Sequence, residues 1–252
     1  MLQTRVMPCL LLDGKRLVKT VKFREPNYVG DPINAVMIYN EKEVDELIFL
    51  DINATRQSRE PPYDLIANIA TECFMPFTYG GGVHTTAQMK RIFESGVEKI
   101  AINSHLFDEP QLLTKAAEQF GNQSMVVSID VKRTWTGQYK VHSHGGTKNT
   151  GAEPMEWARK AEQLGAGEIL LTSIDRDGTY EGYDLDLIHK VAEAVNVPVI
   201  ACGGAGKVQD FADAVKAGAS AVAAGSMVVY HGAARGVLIN FPSRQELSRA
   251  LP

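Results

Sequence analysis

Two halves of this chain repeat one pattern. Tyr79-Gly80-Gly81-Gly82 is answered by Cys202-Gly203-Gly204-Ala205, with 123 residues between Gly80 and Gly203. Residues 99–104 are answered by 221–226, and Glu46-Leu47-Ile48-Phe49 by Glu168-Ile169-Leu170-Leu171, in both cases 122 residues apart. Nearly constant spacing over three separate segments identifies a duplicated unit. The chain is therefore expected to build each half the same way and to close the halves on one another.

Apolar runs mark eight predicted strands, at 5–11, 46–51, 76–79, 99–103, 125–130, 168–172, 197–202 and 221–224. They are almost continuously apolar, as parallel strands buried on both faces are. Helical spacing lies between them: Val208, Phe211, Ala212 and Val215 share one face, and Met89, Ile92 and Phe93 give the shorter version. Asp31-Pro32 offers an N-cap followed by proline, and Gly96, Gly165 and Gly218 stand where helices end. Eight βα units in 252 residues predict a (β/α)8 TIM barrel made of two repeated half-barrels. The alternative is an open doubly wound sheet. No linker-like or low-complexity stretch interrupts the chain, so residues 1–252 read as a single domain.

Composition excludes some functions. A net charge of −4 argues against a nucleic-acid surface, although local Lys and Arg can hold a small anion. Three cysteines have no zinc spacing; Cys9 and Cys202 sit in apolar runs and read as small buried hydrophobes. No apolar run approaches the ~18 residues of a membrane span, and the N-terminus lacks a signal-peptide layout. A cytoplasmic protein without metal, cofactor, membrane or nucleic-acid partner is expected.

The candidate site follows from the repeat. Glycine-rich turns at the C-terminal ends of barrel strands bring bare amides to the face where barrels bind ligands. Helix N-termini behind such turns favour anions. Gly82 with Asn103 and Ser104 would make one phosphate cradle, and Gly204 with Gly225 and Ser226 its twin across the mouth. A single such loop is as readily a tight βα turn; the pairing favours a long ligand with a phosphate at each end. Asp130 closes an apolar run, where a carboxylate is costly unless it faces a wet pocket or caps a turn. Arg5, Glu46, Lys99 and Glu168 open four strands and would gather at the opposite mouth as two positive and two negative charges. They are either solvated strand ends or a mutually paired ring.

Residues 77–84, 127–133, 167–179 and 201–207 are similar to the signature segments of the cyclase subunit of imidazole glycerol phosphate synthase, the HisF family, and the resemblance runs over most of the chain. It implies a lyase-type cyclase subunit paired as a heterodimer with a HisH-like glutaminase. The partner's ammonia would pass through the barrel, gated by the ring Arg5, Glu46, Lys99 and Glu168, to a bis-phosphorylated nucleotide-derived substrate. It further implies two catalytic aspartates, at the ends of the first and fifth strands. Asp130 matches the second; where the family has the first, this chain has Leu11, which the repeat also sets opposite Asp130. Asp13 has the same strand parity but reads as a turn with Gly14. Leucine cannot move a proton, so the usual reaction should fall by roughly 10²–10⁴.

The resemblance also places Lys19, in residues 13–31, in a mobile substrate-covering loop, with a merely solvated loop as the other reading. Thr172 is expected to face the pocket. Asp175 and Asp177 either hold ligand hydroxyls or cap a turn, and His84 and His105 either touch phosphate or serve turns. The excursion 135–149, with His142, His144, Gly145 and Gly146, and the apolar tail 227–242 have no readable role. Because of Leu11 a second function stands beside the first: a paralogue that delivers ammonia for amidation of a surface-polysaccharide sugar, without histidine-pathway cyclase activity. A third is a non-enzymatic activating partner of a glutaminase.

Overall fold

A computed structural model describes residues 4–232 and 234–251. Eight parallel strands close into a ring: β1 (Arg5–Asp13), β2 (Leu47–Asp51), β3 (Phe77–Gly80), β4 (Lys99–Ile102), β5 (Met125–Arg133), β6 (Glu168–Ser173), β7 (Val199–Cys202) and β8 (Ala221–Ala224). Each pairs with its sequence neighbour, β5 with β6 through Glu168↔Val126, and β8 returns to β1 through Arg5↔Ala221. The closed ring excludes the open doubly wound sheet. Helices α1 (Pro32–Glu41), α2 (Tyr63–Glu72), α3 (Thr86–Glu94), α4 (Gln111–Phe120), α5 (Pro154–Gln163), α6 (Leu185–Ala192) and α7 (Val208–Lys216) cover the outside, followed by the short α8 (Ser226–Val229) and by α9 (Arg244–Ala250). No helix of the described residues is long and apolar enough to cross a membrane.

Successive strand residues point to opposite faces, so each strand feeds two cores. Leu10, Leu12, Phe49, Tyr79 and Ile169 point outward and pack against helix residues such as Ile66, Met89, Leu113, Val191 and Phe211. Met7, Cys9, Leu11, Ile48, Val126, Leu170 and Ile200 point inward and fill the barrel. Local signals act where the sequence places them. Asp31 accepts from the amides of Ile33 and Asn34 ahead of Pro32. Thr85 and Gln88 form a reciprocal capping box on α3. Gly96, Gly165 and Gly218 take the left-handed φ of helix-ending residues, at 101°, 108° and 110°.

The repeat is visible in strand register. Leu11 pairs with Leu50, and Leu50 with Gly80; Asp130 pairs with Thr172, and Thr172 with Cys202. At these positions the two halves agree in pairing and differ in chemistry, with Leu11 and Leu50 on the first side and Asp130 and Thr172 on the second.

Three segments differ from expectation. Residues 13–31 are no loose loop: strands Arg16–Val21 and Arg24–Gly30 form an antiparallel hairpin on the extended end of β1, and Lys19 within it is 3% exposed. The β-branched Val18, Thr20 and Val21 favour that strand. The excursion after β5 is a second hairpin, with strand Tyr139–Ser143 pairing Asp130↔His142 through Arg133↔Tyr139. The apolar tail holds most of α8 and a short pairing of Tyr230–His231 with Gly236–Val237, and ends before α9. One edge moves slightly: Glu46 stands just before β2 rather than inside it.

Candidate active site at the C-terminal mouth

The C-terminal ends of the strands surround an open cavity of about 1260 Å³. Gly82 and Gly204 both line it. They follow β3 and β7, which are four strands apart in a ring of eight, so they face each other across one mouth. Their backbones demand glycine. Gly82 has φ 72° and Gly204 φ 115°; a Cβ would lie 2.7 Å from Arg59 O at the first and 2.1 Å from Gly182 O at the second. Asn103 and Gly225, at the ends of β4 and β8, share one backbone conformation: φ −127°, ψ −86° and φ −107°, ψ −84°. Each presents the next residue, Ser104 or Ser226, to the cavity. Among the described residues, the amides of Gly82, Ser104, Gly204 and Ser226 meet no protein acceptor.

The two turns are not identical in their side chains. The Ser104 hydroxyl accepts from His144 N at 2.8 Å, whereas the buried Ser226 Oγ has no partner among the described residues. A buried orphan hydroxyl calls for a ligand or a water. At that second turn Lys19 Nζ donates to Cys9 O at 2.9 Å and lies 2.2 Å from where a Gly225 Cβ would be. Only glycine at 225 leaves room for this ammonium.

Asp130 lies on the floor between the turns, 8% exposed. Its carboxylate accepts from Asn103 Nδ2 at 2.7 Å and Ser128 Oγ at 3.4 Å. Burial pushes the carboxyl up to about 7, with the charge of Asp177 adding to the rise and the side chains of Ser128, Asn103 and Thr172 opposing it. An unfolded aspartate ionises near ~3.9. Between these values the native state holds a proton that the unfolded chain has lost, so stability falls as pH rises through that window. Asp130→Asn is expected to stabilise the protein by about 4 kcal/mol at pH 8 and to leave it nearly unchanged at pH 4. Thermal melts at the two pH values measure this; an equal shift at both contradicts it.

Leu11 occupies the equivalent place on β1 and lines the same cavity, 7% exposed. Asp13 does not take over: it sits at the hairpin turn, paired with Arg59 at 3.6 Å and Arg16 at 4.0 Å. Thr172 lines the cavity from β6. Asp177 also reaches it and at the same time fastens the first hairpin: its carboxylate accepts from Thr20 Oγ1 at 2.9 Å and Phe23 N at 3.3 Å, and its carbonyl from Lys22 N at 2.9 Å. Asp175 accepts from Arg133 N at 2.8 Å, away from the cavity lining. His84 and His105 lean together with ring centroids 5.7 Å apart; His105 lines the cavity, and His84 Nδ1 is 3.0 Å from Gly82 O. Cys9 and Cys202 are free thiols on the barrel interior, the second partly exposed to the cavity.

Sequence reading did not single out Asp51, Arg56 or Ser128, and it named His144, Gly145 and Gly146 without giving them a role. Asp51 closes an apolar run as Asp130 does, a signal that was available. Arg59 donates to it twice at 3.1 Å and the amides of Asn53 and Ala54 donate as well, while burial keeps its carboxyl above the usual range. Among the described residues no cluster of three or more His, Cys, Asp or Glu is arranged to hold a metal.

At the other end of the barrel the four charged residues meet. Arg5 reaches Glu46 and Glu168, each at 2.7 Å, and Lys99 reaches the same two at 3.0 and 3.1 Å. The result is a closed four-membered ring in which each charge has two opposite neighbours. The Glu46 side chain is 4% exposed and the Glu168 side chain 11%, so the pairing offsets a real desolvation cost.

A (β/α)8 barrel is the fold of the histidine biosynthesis proteins, and residues 5–235 match the family described as "Histidine biosynthesis protein". A Pseudomonas aeruginosa protein provisionally named imidazole glycerol phosphate synthase subunit hisF2 is 52% identical over 248 residues, covering 98% of this chain and 99% of that one. A Vibrio vulnificus protein provisionally named subunit hisF3 is 48% identical over 256 residues, covering 100% and 97%. The imidazole glycerol phosphate synthase subunit HisF of Alkaliphilus metalliredigens is 46% identical over 232 residues, 92% of each chain. This chain belongs to the HisF family.

Proposed function

We propose that this chain is the synthase subunit of a glutamine-dependent amidotransferase pair, with a HisH-like glutaminase as its partner. It binds a two-ended phosphorylated substrate across the mouth and reacts it with ammonia arriving through the barrel. The observation that carries the reading is the mutual facing of Gly82 and Gly204 across one cavity, with Asp130 between them. Each phosphate meets free amides and a serine, Ser104 on one side and Ser226 on the other. Asn103 orients Asp130. Thr172 and Asp177 can hold hydroxyls in the middle of the ligand. With its carboxyl at about 7, Asp130 is part acid and part base at neutral pH, which suits a group that takes and returns protons.

The ring of Arg5, Glu46, Lys99 and Glu168 is the proposed gate. Ammonia, being neutral, can pass among the apolar side chains of Met7, Ile48, Val126 and Ile200 that fill the barrel, whereas an ammonium ion would lose its hydration there. A shift of Lys99 or Arg5 side chains opens the way. Single-turnover assays with ammonium salt and the bis-phosphorylated substrate test the function. Product formation that Asp130→Asn lowers by roughly 10²–10⁴ supports it; turnover indifferent to that substitution contradicts it.

A second reading has its own observation. Leu11 and Leu50 make one side of the floor apolar where the repeat makes the other side Asp130 and Thr172. With one carboxylate of the pair missing, the barrel would pass ammonia to a different acceptor, such as a surface-polysaccharide sugar held by a third protein.

A further inference from the structure

Among the described residues that line the mouth, two side chains carry a fixed positive charge, Lys19 and Arg56. They stand at different glycine turns. Lys19 lies against Gly225, in the second. Arg56 belongs to the loop after β2, which packs directly on the first: the missing Cβ of Gly82 would meet Arg59 O at 2.7 Å and Ala54 Cβ at 3.1 Å. The same loop touches the turn of the second hairpin, where Arg56 Nε lies 3.7 Å from the Cβ position of Gly145. The residue before it, His144, donates its amide to Ser104. Arg56 thus borders the first turn, from the Gly82 side to the Ser104 side.

Its guanidinium is not consumed by a carboxylate. Arg56 donates to Asn53 Oδ1, and the nearby Asp51 and Asp13 are held by Arg59; no acidic partner lies within 4.0 Å of Arg56 among the described residues. A planar fork left open at the rim of an anion site matches the oxygens of a phosphate monoester. We propose that Arg56 is the cationic clamp of the first phosphate site, the counterpart of Lys19 at the second. This rests on the twin-site reading above and gives it a specificity-determining residue: one end of the ligand is a terminal phosphate monoester read by an arginine.

Inorganic phosphate is the probe, titrated into the full chain and followed by ³¹P NMR. Wild type is expected to take up two phosphates per chain. Arg56→Gln should weaken one of them roughly tenfold to a hundredfold and spare the other, and Arg56→Lys, which keeps the charge but not the fork, should recover part of the loss. Lys19→Gln should weaken the remaining site. Arg56 is exposed at the rim, so an unchanged melting curve is expected to accompany the change in binding. Two phosphates retained at wild-type affinity in Arg56→Gln overturn the proposal and leave the twin sites standing. Wild type binding no phosphate overturns both.

Discussion

Leu11→Asp raises the rate of ammonia-dependent cyclisation by roughly 10²–10⁴-fold, the contribution of a positioned acid–base group. The expectation comes from register. Leu11 stands on β1 beside Leu50 as Asp130 stands on β5 beside Thr172, so a carboxylate at 11 would complete the pair that the duplicated frame is built to hold. The site is prepared for it: Leu11 lines the cavity, and the Lys19 ammonium, bonded to Cys9 O on the same strand, supplies a compensating charge. Desolvation would hold the new carboxyl partly protonated, which a proton donor requires. A rate left at the wild-type level would mean that the floor lacks more than one carboxylate. The reading in which ammonia serves another acceptor would then stand in its place.

Lys99→Met destabilises the protein by roughly 3–5 kcal/mol, because it leaves two buried glutamates sharing the single guanidinium of Arg5. In a chain of this size that is a fall in Tm on the order of 10 °C. Lys90→Met removes the surface pair with Glu94, both about two-thirds exposed, and should change Tm by less than about 2 °C. Calorimetry on the two variants compares them directly. Equal small effects would reduce the ring to ordinary strand-end charge and remove the physical basis for a gate.

Much of the fold was legible because barrels write their core twice. The continuous apolar runs gave all eight strands within a few residues, and the recurring glycine turns gave the pairing of halves before any register was seen. What escaped lay in the additions to the barrel. The β-branched Val18, Thr20 and Val21 favour a strand at 16–21, but seven charged residues within 13–25 made it look like a solvated loop. The resemblance placed Lys19 on a mobile cover, whereas its stem is packed on the barrel and its ammonium reaches the interior. Arg56 could not be read at all. A lone arginine in a polar stretch looks like surface until the fold sets it beside Gly82 and Gly145. The turn 143–147 escaped for a related reason, since its bond to Ser104 joins residues forty apart that no local pattern links.

Asp130 and Leu11 show the opposite case, in which sequence reached further than coordinates. The cavity alone presents Asp130 among other carboxylates and Leu11 beside Leu50, nothing out of the ordinary. The repeat makes the leucine a missing partner. Geometry then adds what sequence could not: the Asn103 bond at 2.7 Å, the burial that lifts the carboxyl to about 7, and the orphaned Ser226 hydroxyl across the mouth.

A crystal structure of this chain with the bis-phosphorylated substrate tests most directly whether one ligand spans both glycine turns. One phosphate should rest on the amides of Gly82 and Ser104 and the other on those of Gly204 and Ser226, at about 3 Å, with Asp130 beneath the centre of the molecule. A ligand held at a single turn with its other end in solvent, or bound outside this mouth, would contradict the assignment.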